Sequence, residues 1–210
     1  MKDGRVNGSS LANVKNASWH ATLTNGTAVP LRVDTAQQGA GSNSDVGLYA
    51  VSFETATGWE PLCGLDEAGA PILAVAVPGT WSLASGSPGD GAYTPSTTVQ
   101  SFACRGKTIA KCVELGYKPW NGRTDQLAAC VRLLRADYCG DGRSYTVNGT
   151  LVNLYDNAGV LVDDAAWTKE AAWSPAGAVC IAKDADDAPG PGPGRGSGGG
   201  YGPGGDAHYH

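Results

Sequence analysis

The chain has 210 residues, a formal net charge of −5 and an isoelectric point near 5.1. That length suits one sizeable core, and the scattered Lys and Arg exclude the basic patch that a nucleic-acid backbone requires. The longest apolar run, Ile72 to Val77, is far short of the roughly 18 residues that cross a bilayer, so no membrane span is expected.

Residues 1–10 are polar and Gly/Ser-rich and read as a flexible N-terminus. Trp19 to Leu23 alternates apolar and polar residues. Asn25-Gly26 signals a turn, and Val29 to Val33 returns, with Pro30 suggesting an edge strand. After a polar loop, Tyr49, Val51 and Phe53 share one strand face. Trp59 to Cys63 reads as a short strand and Ile72 to Val77 as one buried on both faces. A Gly/Pro/Ser loop over Gly86 to Pro95 precedes a strand over Thr98 to Cys104.

The pattern then turns helical. Ile109, Cys112 and Val113 repeat at helical spacing and Gly116 ends that helix; Tyr117 to Gly122 is an aromatic turn. Leu127, Cys130, Val131 and Leu134 form one apolar stripe, with Gln126, Arg132 and Arg135 elsewhere around the helix. Thr124 is the expected N-cap, and Gly140 with Gly142 stops the helix near Asp137. Ser144 to Val147 and Thr150 to Tyr155, joined by Asn148-Gly149, predict a β-hairpin. Val160 to Val162 reads as a short strand, Thr168 to Ala172 as a helical turn, and Ala178 to Ala182 as a closing strand. From Asp184 the composition shifts to Asp, Gly and Pro, and residues 188–210 read as a disordered tail.

The expected fold is therefore mainly β with two short helices, a β-rich α+β arrangement built on an antiparallel sheet or sandwich. A single domain over residues 11–187 is expected. Six cysteines, Cys63, Cys104, Cys112, Cys130, Cys139 and Cys180, without a C-x-x-C pair, argue for three disulfides rather than a zinc site. Their pairing is open among 15 possibilities. Disulfides imply an extracellular or cell-surface location. No apolar leader segment follows Met1, so the chain reads as the mature part of a secreted protein.

The run Arg135-Ala136-Asp137-Tyr138-Cys139-Gly140-Asp141-Gly142, preceded by Ala129-Cys130 and followed by Gly149-Thr150-Leu151, resembles the ADYC domain. So do Phe102-Ala103-Cys104-Arg105-Gly106, Ala110-Lys111-Cys112, Gly116 to Trp120, Ala171-Ala172-Trp173 and Gly177 to Cys180, in that order along residues 59–183. The resemblance implies a secreted bacterial protein and brings no known activity. The resemblance implies that a His is common shortly before the Ala-Cys pair; here Asp125-Gln126-Leu127 occupy that neighbourhood, a departure that counts against any His-dependent chemistry.

Among candidate sites, Asp137 to Gly142 has the spacing of a calcium loop only in part. Cys139 stands at its third position and Asn148 at its twelfth, where a Glu is needed. Asp137, Asp141 and Asp156 form a conceivable acidic cluster, but a cysteine nucleophile lacks a base, since the histidines are His20, His208 and His210. His208 and His210 offer two metal ligands on a free end, too few for tight binding. No catalytic motif, cofactor fingerprint or metal centre is expected. Aromatic residues, Tyr117 and Trp120 foremost, are the candidate binding positions alongside Asp137 and Asp141. The functional expectation is a non-catalytic structural or binding module with a protein, a surface polysaccharide or a second copy of itself as partner. An extracellular enzyme using Asp137 and Asp141 is the alternative.

Overall fold

In the computed structural model, which describes residues 11–22, 27–82, 92–147, 149–164 and 166–181, the alternating segments pair into an antiparallel sheet. Its strands are β1 (Ser18–Thr22), β2 (Ala28–Gln38), β3 (Gly47–Thr55), β4 (Gly58–Pro61), β5 (Ala74–Pro78) and β8 (Gln100–Cys104), in the order β1-β2-β3-β5-β8 with β4 also on β3. Two short strands, β6 (Thr80–Trp81) and β7 (Tyr93–Thr94), pair separately. Two α-helices, α1 (Thr108–Glu114) and α2 (Thr124–Arg135), precede a terminal hairpin of β9 (Ala171–Ser174) and β10 (Gly177–Ile181). The fold is mainly β with two helices, as expected.

The chain divides into two compact units. One takes the described residues up to Thr80 together with Thr94–Gly122; the other takes Trp81–Tyr93 and the described residues from Arg123 onward.

Period-two alternation builds the first unit. Leu31, Val33, Tyr49, Val51 and Ala76 bury one sheet face under Val14, with Leu11, Trp19, Phe53 and Phe102 packed around them. Phe102 contacts Trp19 and Tyr49 at ring separations of 6.0 and 5.9 Å. β5 is buried on both faces, since Ala74, Val75, Ala76 and Val77 are all fully inaccessible. α1 buries Ile109, Ala110, Cys112 and Val113 and docks beside β8. β2 lies between β1 and β3 rather than at the edge that Pro30 suggested. Pro30 is tolerated because it faces His20 of β1, and pairing with β3 begins only at Leu31.

In the second unit α2 buries Leu127, Cys130, Val131 and Leu134, the stripe read from spacing, against β9 and β10. Thr124 is the first helical residue, and Arg123, not Thr124, occupies the N-cap without a side-chain bond.

Three expected elements in this unit are absent. Ser144–Val147 and Thr150–Tyr155 form no hairpin. The backbone N–H of Tyr145 and the hydroxyl of Ser144 instead donate to the Arg135 carbonyl at the end of α2, and Thr150 folds back on the Val147 carbonyl. The open carbonyls of a helix end thus capture donors that a β-ladder would need. Val160 to Val162 is no strand, because the Asp156 carboxylate accepts from the N–H groups of Ala158, Val160 and Leu161 and holds the segment as a loop. Thr168 to Ala172 is no helical turn; Ala171 and Ala172 enter β9, where pairing with Ile181 and Cys180 overrides the helical preference of alanine. The expected flexible residues 1–10, the Asn25-Gly26 turn, most of the Gly86–Pro95 loop, Asn148, His208, His210 and the tail over residues 188–210 lie outside the described residues.

Candidate functional site

The stretch after α2 is held by its own charges. Ala136 takes a left-handed conformation, with φ of 50°, and reverses the chain directly after the last helical turn. Its N–H donates to Leu133 and that of Asp137 to Arg132. The reversal brings residues 137–145 back over α2. Arg132 and Arg135, whose spacing placed them off the apolar stripe, are consequently buried at 3% and 8% exposure, and Asp137 at 0%.

Arg132 Nη1 donates to Asp137 Oδ2, and its Nε donates to the Pro175 carbonyl at 3.2 Å in the β9–β10 turn. The same Asp137 Oδ2 accepts from Gly142 N at 3.0 Å. Arg135 Nη2 donates to the Gly142 carbonyl at 2.7 Å, so Gly142 is gripped through both of its backbone groups. Burying an ion pair costs solvation, which this pair recovers only through such additional bonds.

Tyr138 and Cys139 continue the turn along the hairpin. Ala178 N donates to the Tyr138 carbonyl at 2.9 Å. The approach is closer than side chains permit: a Cβ on Gly140 would stand 1.9 Å from the Ala176 oxygen, and one on Gly177 2.7 Å from the Tyr138 oxygen. The Tyr138 hydroxyl donates to the Glu170 carboxylate, and its ring lies 5.0 Å from Trp173 and 6.4 Å from Tyr145.

Asp141, by contrast, is exposed. It accepts from Arg143 N at 3.0 Å and faces the Arg143 guanidinium at 3.8 Å. Asp137, Asp141 and Asp156 therefore do not meet: the first is buried against Arg132, the second holds its own surface turn, and the third closes the 156–161 loop. Among the described residues no group of three His, Cys, Asp or Glu can hold a metal ion.

Of the two aromatic candidates, Tyr117 is a core residue at 2% exposure and offers no free face. Trp120 is half-buried in a 3-10 turn over Pro119–Asn121, and its indole N–H donates to Asp45 Oδ2 at 2.9 Å. Lys118 Nζ donates to the other oxygen of Asp45 at 2.5 Å and to the Ser42 carbonyl at 2.7 Å. Burial opposes ionisation of Asp45, but the Lys118 and Trp120 bonds outweigh it and hold the carboxyl below its usual 3.8. This corner of the first unit locks a loop to the sheet. Among the described residues the exposed aromatics are Trp59, with the Arg32 guanidinium 4.4 Å over its ring, Tyr145, Tyr155 and Trp167. The grouping of Tyr138, Tyr145 and Trp173 was not foreseen, because it depends on how β9 lies beside the turn.

Cys63 and Cys104 form a disulfide with Cα atoms 5.4 Å apart, and Cys112 and Cys130 are also disulfide-bonded. The expected participation of Cys139 is not met, since its thiol is free and exposed. The Cys180 side chain is outside the described set.

The ADYC domain model matches residues 11–187, reaching further toward the N-terminus than the stretch carrying the recognisable motifs. No curated protein and no solved structure matches the chain.

Proposed function

Since the chain belongs to the ADYC domain family, and the side chains of Asp137 and Tyr138 bond within the protein, we propose that it is a non-catalytic extracellular or cell-surface module with a structural or binding role. The observation that carries this reading is the placement of Asp137. At 0% exposure, bonded to Arg132 and Gly142 N, it has no path to a substrate. A general acid or base must come within hydrogen-bond reach of the proton it moves. Asp141 is exposed and engaged with Arg143, while Asp137 is turned inward to Arg132, which supports a reading without a shared acidic pair.

Disulfides at Cys63, Cys104, Cys112 and Cys130 support an oxidising compartment. No helix among the described residues is long and apolar enough to cross a membrane. The partner is a protein, a surface polysaccharide or a second copy of this chain.

The test is turnover. The purified chain is incubated with peptide, ester and glycoside substrates beside an Asp141→Asn variant. No turnover by either protein is expected; an activity in the parent that Asp141→Asn abolishes while folding is retained overturns the reading.

A further inference from the structure

The turn that follows α2 leaves one surface that its internal bonding does not consume. Tyr138, Tyr145 and Trp173 form a continuous aromatic group in the second unit, with ring separations of 5.0 and 6.4 Å and interplanar angles of 37° and 52°. Tyr145 is 56% exposed, and Tyr138 and Trp173 are half-buried. Tyr145 is therefore the open ring of the group, and Tyr138 and Trp173 are each partly accessible beside it. Glu170 stands at the edge, exposed, with one carboxylate oxygen taking the Tyr138 hydroxyl.

We propose that Tyr138, Tyr145 and Trp173, with Glu170 at their rim, form a platform that binds a neutral, hydroxyl-rich polysaccharide. The inference rests on the binding role proposed above and names both its ligand class and its place.

A sugar ring presents an apolar C–H face and a fringe of hydroxyls. Aromatic rings match the first, giving a large contact area at small entropic cost. A carboxylate matches the second, since it accepts hydroxyl protons in charge-assisted bonds. The two kinds of group lie side by side here because the Tyr138 hydroxyl links its ring to Glu170. An acidic polymer is disfavoured by Glu170 and by the net charge of −5. A stable protein partner buries roughly 20–30 residues on each side, far more than these four side chains, whereas a sugar chain needs only a few.

The full chain is run on native gels containing hydroxyethyl cellulose, laminarin, dextran or galactomannan, with alginate as the acidic comparison. Retardation in at least one neutral gel and none in alginate is expected. Tyr145→Ala should weaken that retardation roughly tenfold, the loss of one aromatic contact, while Tyr145→Phe keeps it and Glu170→Gln weakens it several-fold. Trp59→Ala, in the other unit, should leave it unchanged. Tyr145 is exposed enough for its alanine variant to fold, which circular dichroism checks. If retardation survives Tyr145→Ala, the platform is wrong while the binding role stands. If no neutral polysaccharide retards the parent, or alginate alone does, the proposed ligand class is overturned.

Discussion

Asp137 and Asp141 are four residues apart and have opposite energetic weight. Removing one partner of a buried ion pair leaves an uncompensated charge, so Asp137→Ala should lower stability by about 3–5 kcal/mol, read from urea unfolding. Asp141→Ala removes an exposed turn contact and should change stability by less than about 1 kcal/mol. Equal effects would mean that the Arg132 pair is not what holds the turn. Gly140 and Gly159 allow a second contrast, both having positive φ, of 68° and 71°. A Cβ at Gly159 meets nothing within 4 Å, so Gly159→Ala should cost only backbone strain of about 1 kcal/mol. At Gly140 the methyl would collide with the Ala176 carbonyl, and Gly140→Ala should separate the turn from the hairpin or prevent folding. Two titrations belong at this scale as well. Asp45, held below its ordinary value, contributes stability that is present above the unfolded carboxyl pKa and is lost as pH falls through the lower folded value. Asp45→Asn should therefore flatten the acid limb of the stability curve below about pH 4. Tyr93, pushed up to about 12 by burial, should titrate above the ordinary tyrosine range in an ultraviolet absorbance titration, and Tyr93→Phe should remove that late step. Its stabilising contribution is present below the ordinary tyrosine value and lost as pH rises through the folded one.

Among the elements, the Cys63–Cys104 disulfide joins the segment after β4 to the end of β8 across 41 residues. In the chain-entropy account a loop of that length is worth about 4 kcal/mol, so Cys63→Ser with Cys104→Ser should lower the urea midpoint by the corresponding amount. Much of this architecture was legible. The alternation in Tyr49, Val51 and Phe53, the unbroken apolar run of β5 and the four-residue stripe of α2 each record a buried face directly. The region after α2 was not legible, for a specific reason. Asn148-Gly149 between two apolar segments is a strong local hairpin signal, but the Arg135 carbonyl takes the donors of Ser144 and Tyr145. Likewise, Arg132 and Arg135 lie off the apolar stripe, and helical periodicity carries no information about a chain that reverses at Ala136 and covers them. Tyr117 and Trp120 lie in a Pro/Gly turn whose burial depends on Lys118 and Trp120 closing on Asp45, a contact across more than 70 residues. Local patterns identified the elements, whereas the candidate site arises from contacts between segments tens of residues apart.

The whole molecule consists of two units with different means of support. The first has a sheet with apolar residues on both faces. The second has one amphipathic helix and a two-stranded hairpin, and supplements them with buried guanidinium groups and close backbone contact. Self-association through residues 188–210, one form of the proposed binding role, makes a direct prediction. A chain ending at residue 187 should fold with unchanged circular dichroism and run as a monomer, against a larger species for the full chain. Equal sizes would remove the tail as the assembling element. The meeting of Gly140 with Gly177 also bears on how the fold can vary over evolutionary time. Each glycine makes room for the other segment's backbone, so neither position can gain a side chain while its counterpart stays as it is. The two positions should behave as one unit of inheritance across relatives, retained together or lost together with the contact between turn and hairpin.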